Sequence, residues 1–218
     1  MLTLNRPDKR NALSAALLTE LAAQLRAGLD DEATRAVVLT GTDPAFCAGG
    51  DLDGIAAGVS FPEDAVRYLQ AASVPVIAAV NGAAITGGLE LALACDFRIG
   101  SERARFADTH ARMGVTPGWG MSARLPQAVG QAWARQMSLT GSVVEAATAL
   151  RIGLLNELVD HGRLLDRAVE LAGLIAQTKP EASRRIRDLY AVARDHSGQQ
   201  ALATEAQVAR ETWVIAPA

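Results

Sequence analysis

Two glycine-rich stretches offer backbone that could do chemistry. The first runs Ala45-Phe46-Cys47-Ala48-Gly49-Gly50-Asp51-Leu52, a short turn after an apolar run at 37–40. The second runs Asn81-Gly82-Ala83-Ala84-Ile85-Thr86-Gly87-Gly88-Leu89-Glu90-Leu91-Ala92 and joins another apolar run to an apolar helix. Consecutive glycines let a ligand approach the main chain closely. A helix start offers N–H groups with no intrahelical acceptor and the positive end of a dipole. Two such junctions can aim two N–H donors at one oxygen, an oxyanion hole for an acyl group that gains negative charge. Either junction alone reads first as a tight turn. Other chemistries lack their signatures. There is no Walker A sequence, no GxGxxG after a strand, no HExxH and no GxSxG. His110, His161 and His196 are scattered without zinc spacing, so no metal is expected.

The elements that must carry these junctions alternate. Leu2-Thr3-Leu4 reads as a strand end, and 6–11 as a polar turn. Ser14 is a candidate N-cap for a helix with Leu17, Leu18, Leu21, Leu25 and Leu29 at helical spacing. Buried strands are expected at 36–41 and 75–80 and a third at 97–99, with a helix at 89–95. Strands alternating with helices point to an α/β fold. From about Val143 the pattern is helical, with helices expected at 145–150, 164–177, 181–194 and 199–213.

Composition narrows the classes. The chain has 218 residues, half of them hydrophobic, which fits one large domain with a substantial core. Charged residues are 21% with a net charge of -3, which argues against a disordered chain and against partners such as nucleic acid or an anionic membrane. Aromatics at 4% argue against base-stacking platforms. Cys47 and Cys95 match no CxxC or metal spacing, so a reducing, cytoplasmic compartment is expected. No apolar run is long enough for a membrane span, and the N-terminus lacks the pattern of a signal peptide.

Together the two junctions are far more specific, because they sit in a longer series. That series comprises Leu4-Asn5-Arg6-Pro7 with Asn11-Ala12-Leu13; Val38-Leu39-Thr40-Gly41; 46–52; 75–82; Gly87-Gly88-Leu89-Glu90-Leu91-Ala92 with Cys95-Asp96; Phe106 with Gly114-Val115 and Pro117-Gly118; and Ala146, Ala149 and Leu150 with Gly153-Leu154-Leu155. In this order the sequence resembles the crotonase superfamily, the enoyl-CoA hydratase/isomerase family, over nearly the whole chain. The resemblance implies a crotonase-like spiral of ββα units carrying the acyl-CoA site over 1–142. A helical C-terminal region over 143–218 is implied to serve trimerisation, as a homotrimer or dimer of trimers. It implies an acyl-CoA thioester as ligand, with no further cofactor. By position, the N–H groups of Ala48 and Gly87 would form the oxyanion hole. Gly49, Gly50 and Asp51 would line the substrate with them. Glu90 matches one of the family's two catalytic glutamates.

Several positions depart from the family. The second glutamate should fall four residues after Phe106, where this chain has His110. Histidine can give or take a proton near neutral pH, and Asp108 could orient it. Trp119 replaces a small residue and could line the acyl pocket. The segment 51–75 is short, Asp53 stands where a lysine is common, and the strand expected ahead of Leu2 is largely missing, which would leave a sheet edge exposed. Lys9 and Arg10 are the candidate contacts for the CoA nucleotide, with Arg184, Arg185 and Arg187 as a second cluster. Cys47 reads as a small buried hydrophobe rather than a nucleophile. The expected activity is enoyl-CoA hydration. Alternatives are a Δ3,Δ2-enoyl-CoA isomerase or an acyl-CoA-binding protein without catalysis.

Overall fold

The apolar runs at 37–41 and 76–80 form the centre of a parallel sheet. In the computed structural model, residues 1–58 and 62–195 are described. The helix expected at 199–213, and His196, lie outside them. Strands β1 (Leu2–Leu4), β2 (Val37–Gly41), β3 (Ala45–Cys47), β4 (Val76–Val80), β5 (Ala83–Ile85), β6 (Phe97–Ser101), β7 (Arg105–Ala107), β8 (Val144–Glu145) and β9 (Glu157–Val159) make two sheets. One has five strands, all parallel, in the order β1-β2-β4-β6-β9. The other has four, β3-β5-β7-β8, with only β8 antiparallel. Strand β1 lies at an edge of the first sheet.

Helices are α1 (Ala15–Asp30), α2 (Leu52–Ala56), α3 (Asp64–Gln70), α4 (Gly87–Ala94), α5 (Met121–Thr140), α6 (Ala146–Arg151), α7 (Leu164–Ala176) and α8 (Pro180–Asp195). The repeat is plain in their order. A strand of the first sheet leads to a strand of the second and then to helix: β2, β3, α2 and α3; β4, β5, α4; β6, β7, α5. This is a spiral of ββα turns, and it places the C-terminal ends of β3, β5 and β7 side by side.

The long strands are apolar throughout because both faces are covered. Val37, Leu39, Val76, Ala78 and Val80 face the main core, with Leu18 and Leu25 of α1 and Leu89 and Leu91 of α4. Val38, Ile77, Ala79 and Ile99 face the other way, onto Leu164 and Ala168 of α7. Ser14 caps α1 by accepting the Leu17 N–H at 3.2 Å. Helix α4 is buried along its whole length.

Two features differ from the sequence reading. Helix α5 was not foreseen: Pro126 lies within it, and Gly130 leaves helical geometry (φ 77°, ψ 161°), so two shorter helices meet at a kink. The region after 143 also supplies two short strands, β8 and β9. On α7, Leu171 and Ile175 pack onto the first sheet within the protomer, while Leu174 is exposed.

Close packing of α4 on β3 gives a test. A Cβ on Gly88 would stand 2.2 Å from the Cys47 carbonyl oxygen, whereas one on Gly28 in α1 would meet nothing within 4 Å. Gly88→Ala should therefore destabilise by about 1–3 kcal/mol or more, and Gly28→Ala should stabilise by up to about 1 kcal/mol. Urea unfolding of the two variants checks the pair; a Gly88→Ala protein as stable as the parent would refute the contact.

Candidate active site

The parallel pairing of β5 with β7, Ile85 opposite Ala107, brings the segments after these strands together. Glu90 lies on α4 after β5, and His110 lies three residues beyond β7. Both line a cleft of about 660 Å³, together with Gly49, Gly50, Gly87 and Trp119. Its remaining walls include Leu52, Ile55, Met113 and Val115, all large apolar side chains left substantially exposed. These suit an apolar chain rather than a polar ligand. Trp119 packs beside Gly87: a Cβ there would lie 3.4 Å from the indole ring.

Glu90 is 2% exposed. Its Oε1 accepts the N–H of Trp119 at 2.8 Å and of Met121 at 3.2 Å. Gly120 between them adopts φ 97°, a left-handed conformation that favours glycine and turns both donors toward one oxygen. Met121 opens α5, so the carboxylate also meets the positive end of that helix. The other oxygen, Oε2, stands 3.8 Å from His110 Nε2, in electrostatic contact but beyond hydrogen-bond length. Burial pushes the Glu90 carboxyl above the ordinary glutamate range; the two N–H donors and His110 oppose this, and Asp108 adds to it.

His110 is held from its other side. Asp108 Oδ1 lies 2.7 Å from Nδ1 and also accepts the His110 backbone N–H at 3.2 Å. Asp108 itself is fully buried.

The donors for an acyl oxygen need reassignment. The Ala48 N–H donates to the Arg10 carbonyl at 3.0 Å, so it is spent within the fold. Around it, the Leu13 N–H donates to Gly49 O and the Asp51 N–H to Leu13 O. That bridge turns the Gly50 N–H away from Leu13, and among the described residues it has no acceptor. The Gly87 N–H, at the first turn of α4, has none either. The two are neighbours, since a Cβ on Gly87 would stand 3.8 Å from Gly50 N. The unspent N–H groups at this point are thus those of Gly50 and Gly87, and the Ala48 N–H is not available as a donor. Ala48 and Gly49 still line the cleft.

Thr86 was missed by the sequence reading. It is a non-glycine residue at φ 52°, immediately before Gly87. Its Oγ1 lies 2.5 Å from Thr109 Oγ1 and accepts the Thr109 N–H at 3.1 Å. These bonds tie the Glu90 segment to the His110 segment and hold a backbone conformation that would otherwise be unfavourable. Threonine carries no sequence signal for a left-handed position.

The remaining candidates divide. Asp51 does not reach the cleft: it is buried and paired with Arg6 at 2.8 Å, which anchors the first glycine loop. Lys9 pairs with Asp53 at 3.2 Å, next to cleft-lining Leu52, so it stands at the rim; Arg10 is its exposed neighbour. Arg187 is turned onto its own chain, with Nε 2.6 Å from Asp96 and further bonds to the Leu69 and Ala72 carbonyls. Arg184 and Arg185 are exposed. Cys47 and Cys95 are buried free thiols that burial pushes up to about 12, which suits packing rather than nucleophilic attack. Among the described residues, no group of three or more His, Cys, Asp or Glu is placed to hold a metal ion, and no helix is long and apolar enough to cross a membrane.

Comparison with known proteins agrees with this arrangement. The family model described as enoyl-CoA hydratase/isomerase matches residues 1–214. A probable peroxisomal enoyl-CoA hydratase 1 of Arabidopsis thaliana is 38% identical over 194 residues, 87% of this chain and 73% of that protein. A crotonyl-CoA hydratase of Syntrophomonas wolfei is 39% identical over 184 residues, 80% of this chain and 71% of that one. Among solved structures, an enoyl-CoA hydratase from Bacillus anthracis superposes with TM-score 0.89 at 34% identity, covering 96% of this chain and 85% of that one. An enoyl-CoA hydratase from Mycobacterium tuberculosis superposes with TM-score 0.83 at 48% identity, covering 96% and 89%. With the ββα spiral and paired glycine junctions already in view, these matches establish that the chain belongs to the enoyl-CoA hydratase/isomerase family of the crotonase superfamily.

Proposed function

We propose that the protein is an enoyl-CoA hydratase, adding water across the double bond of a trans-2-enoyl-CoA thioester. The observation that carries this reading is the meeting of three things in one cleft: two unspent N–H donors, a carboxylate pinned by one oxygen, and an imidazole facing the other. The thioester carbonyl sits between the N–H groups of Gly50 and Gly87, which strengthen their hold as the oxygen gains enolate charge. Glu90 uses Oε2 to take a proton from the water that adds at Cβ. His110 delivers the proton to Cα. Leu52, Ile55, Met113, Val115 and Trp119 border the acyl chain, and Lys9 and Arg10 lie at the rim for the CoA phosphates. No metal or redox cofactor enters the reaction.

A Δ3,Δ2-enoyl-CoA isomerase is the second reading. It is favoured by one observation: Glu90 is the one acidic side chain lining the cleft among the described residues. The proximity of His110 to Glu90 Oε2 tips the balance toward hydration, which uses two proton-handling groups. A reducing, cytoplasmic setting is proposed from the two buried free thiols.

The assembly is proposed to be a homotrimer or a dimer of trimers. Val169 and Leu174 of α7 and Ile186 and Tyr190 of α8 are 52–74% exposed, more apolar surface than a covered helical layer should leave. Light scattering should give three or six times the protomer mass, and a monomer at micromolar concentration would exclude it.

Glu90→Gln keeps an acceptor for the Trp119 and Met121 N–H groups but removes the base. Turnover of crotonyl-CoA should fall by at least ~10²-fold with KM little changed. An unchanged turnover would favour a binding-only protein. His110→Gln should also slow hydration; parent-rate hydration, with 3-enoyl-CoA isomerised, would favour the isomerase.

The pH profile carries a sign. Because burial raises the Glu90 carboxyl, the base becomes protonated, and kcat/KM falls, at a pH above the ordinary glutamate value of 4.5. Crotonyl-CoA kinetics from acid to neutral pH check this. An acid limb at or below that value would contradict Glu90 as the buried base.

A further inference from the structure

The imidazole of His110 has two nitrogens, and only one faces the reaction. Nε2 is the atom near Glu90 Oε2, while Nδ1 lies 2.7 Å from Asp108 Oδ1. A carboxylate accepts hydrogen bonds and cannot donate one, so an ionised Asp108 requires the proton on Nδ1. We propose that Asp108 is a positioning residue: it holds His110 as the Nδ1–H tautomer, so that the transferable proton of the imidazolium is the one on Nε2. This rests on the hydratase reading above and adds to it the group that prepares the acid.

The surroundings of Asp108 make the pairing specific. It is fully buried between β7 and His110, and its second oxygen, Oδ2, has no hydrogen-bond partner among the described residues. No arginine or lysine pairs with it among the described residues. The imidazole is therefore the one side-chain partner of this buried carboxyl among the described residues, and a buried polar group left without a partner is unfavourable. The groups facing the ring are Asp108 on one side and Glu90 of α4 on the other. With one proton on Nδ1, neutral His110 presents a bare Nε2 to the cleft. With a second, it becomes a cation between two carboxyl groups, ready to release the Nε2 proton and revert to the held tautomer. Hydration needs such a return, because the proton taken from water and the proton given to Cα must balance in each turnover.

The Oδ1 atom also accepts the His110 backbone N–H. In Asp108→Asn, the amide oxygen is thus the group that fits at Oδ1, since a reversed amide would set its NH2 against that N–H. The NH2 would then take the place of Oδ2, where no described residue stands to oppose it. Asparagine should keep the tautomer and lose only the charge, whereas Asp108→Ala should lose both.

The test uses the full-length protein labelled with ¹⁵N-histidine, at alkaline pH where imidazole is neutral. The His110 signals are identified by their loss in His110→Gln. His161, whose Nε2 lies 2.8 Å from Asp43 Oδ2, supplies a contrasting Asp–His pair made through the other nitrogen. In the parent and in Asp108→Asn, His110 should be protonated at Nδ1; in Asp108→Ala it should shift to Nε2–H or a mixture. Crotonyl-CoA turnover should fall at least tenfold in Asp108→Ala with KM within about twofold, and Asp108→Asn should recover part of kcat. A parent His110 protonated at Nε2 overturns the proposal, and this requires no variant to fold. So does an Asp108→Ala protein with parent turnover, or one whose turnover falls while its tautomer stays unchanged. A parent that does not hydrate crotonyl-CoA defeats the hydratase reading instead, and the tautomer comparison still decides the role of Asp108.

Discussion

A carboxylate inside a fully buried helix is the constraint on which this structure turns. Glu90 lies on α4, all eight residues of which are buried. An ionised carboxyl there must find donors or give up its charge. The Trp119 and Met121 N–H groups supply them, and this fixes where the segment before α5 must run. The same segment carries Trp119 into the cleft. Binding Glu90 by a single oxygen leaves Oε2 toward His110. One electrostatic requirement thus sets the path of a loop, a wall of the pocket and the orientation of Glu90 toward His110.

The helix bearing Glu90 can stand where it does only because glycine permits it. Gly88 lies against the Cys47 carbonyl, and Gly87 brings α4 up to the first glycine loop. The Leu13 bridge to Gly49 and Asp51, together with the Asp51–Arg6 pair, holds that loop from behind. The Arg10 carbonyl takes the N–H of Ala48 and the Leu13 carbonyl takes that of Asp51, which spares that of Gly50. The proposed oxyanion hole is defined by subtraction: the fold uses the neighbouring donors and leaves two.

What the sequence disclosed follows from how strong each local signal is. β2 and β4 were legible because strands buried on both faces read as unbroken apolar runs, and α1 because Ser14 and its leucines mark its start and period. The strands β3, β5 and β7 have three residues each, too few for any periodicity, so the second sheet was hidden. Helix α5 was masked by Pro126 and Gly130. Glu90 and His110 were found through family resemblance; their meeting depends on the β5–β7 register, which no local pattern encodes. The shift from Ala48 to Gly50 was invisible because both are backbone donors in one loop. Only long-range partners, Arg10 and Leu13, decide which is spent. The positive φ of Thr86 depends likewise on Thr109, distant in sequence.

The site also sets function against stability. Glu90 titrates higher in the folded chain than in the unfolded one, so folding favours its protonated form. By linkage, its favourable contribution is fully present below the unfolded value and fades as the pH rises through the folded one. At neutral pH the ionised form is a net cost of the fold, reduced by two N–H bonds, the start of α5 and His110. Asp108 adds a second buried carboxyl to the same corner and pushes Glu90 further up. An apolar side chain at either position would pack without this penalty. In the proposed hydration, where the ring picks up and releases a proton in every cycle, two acids on opposite sides of one imidazole serve that exchange, because a partner for only one of its nitrogens would hold the proton without passing it on.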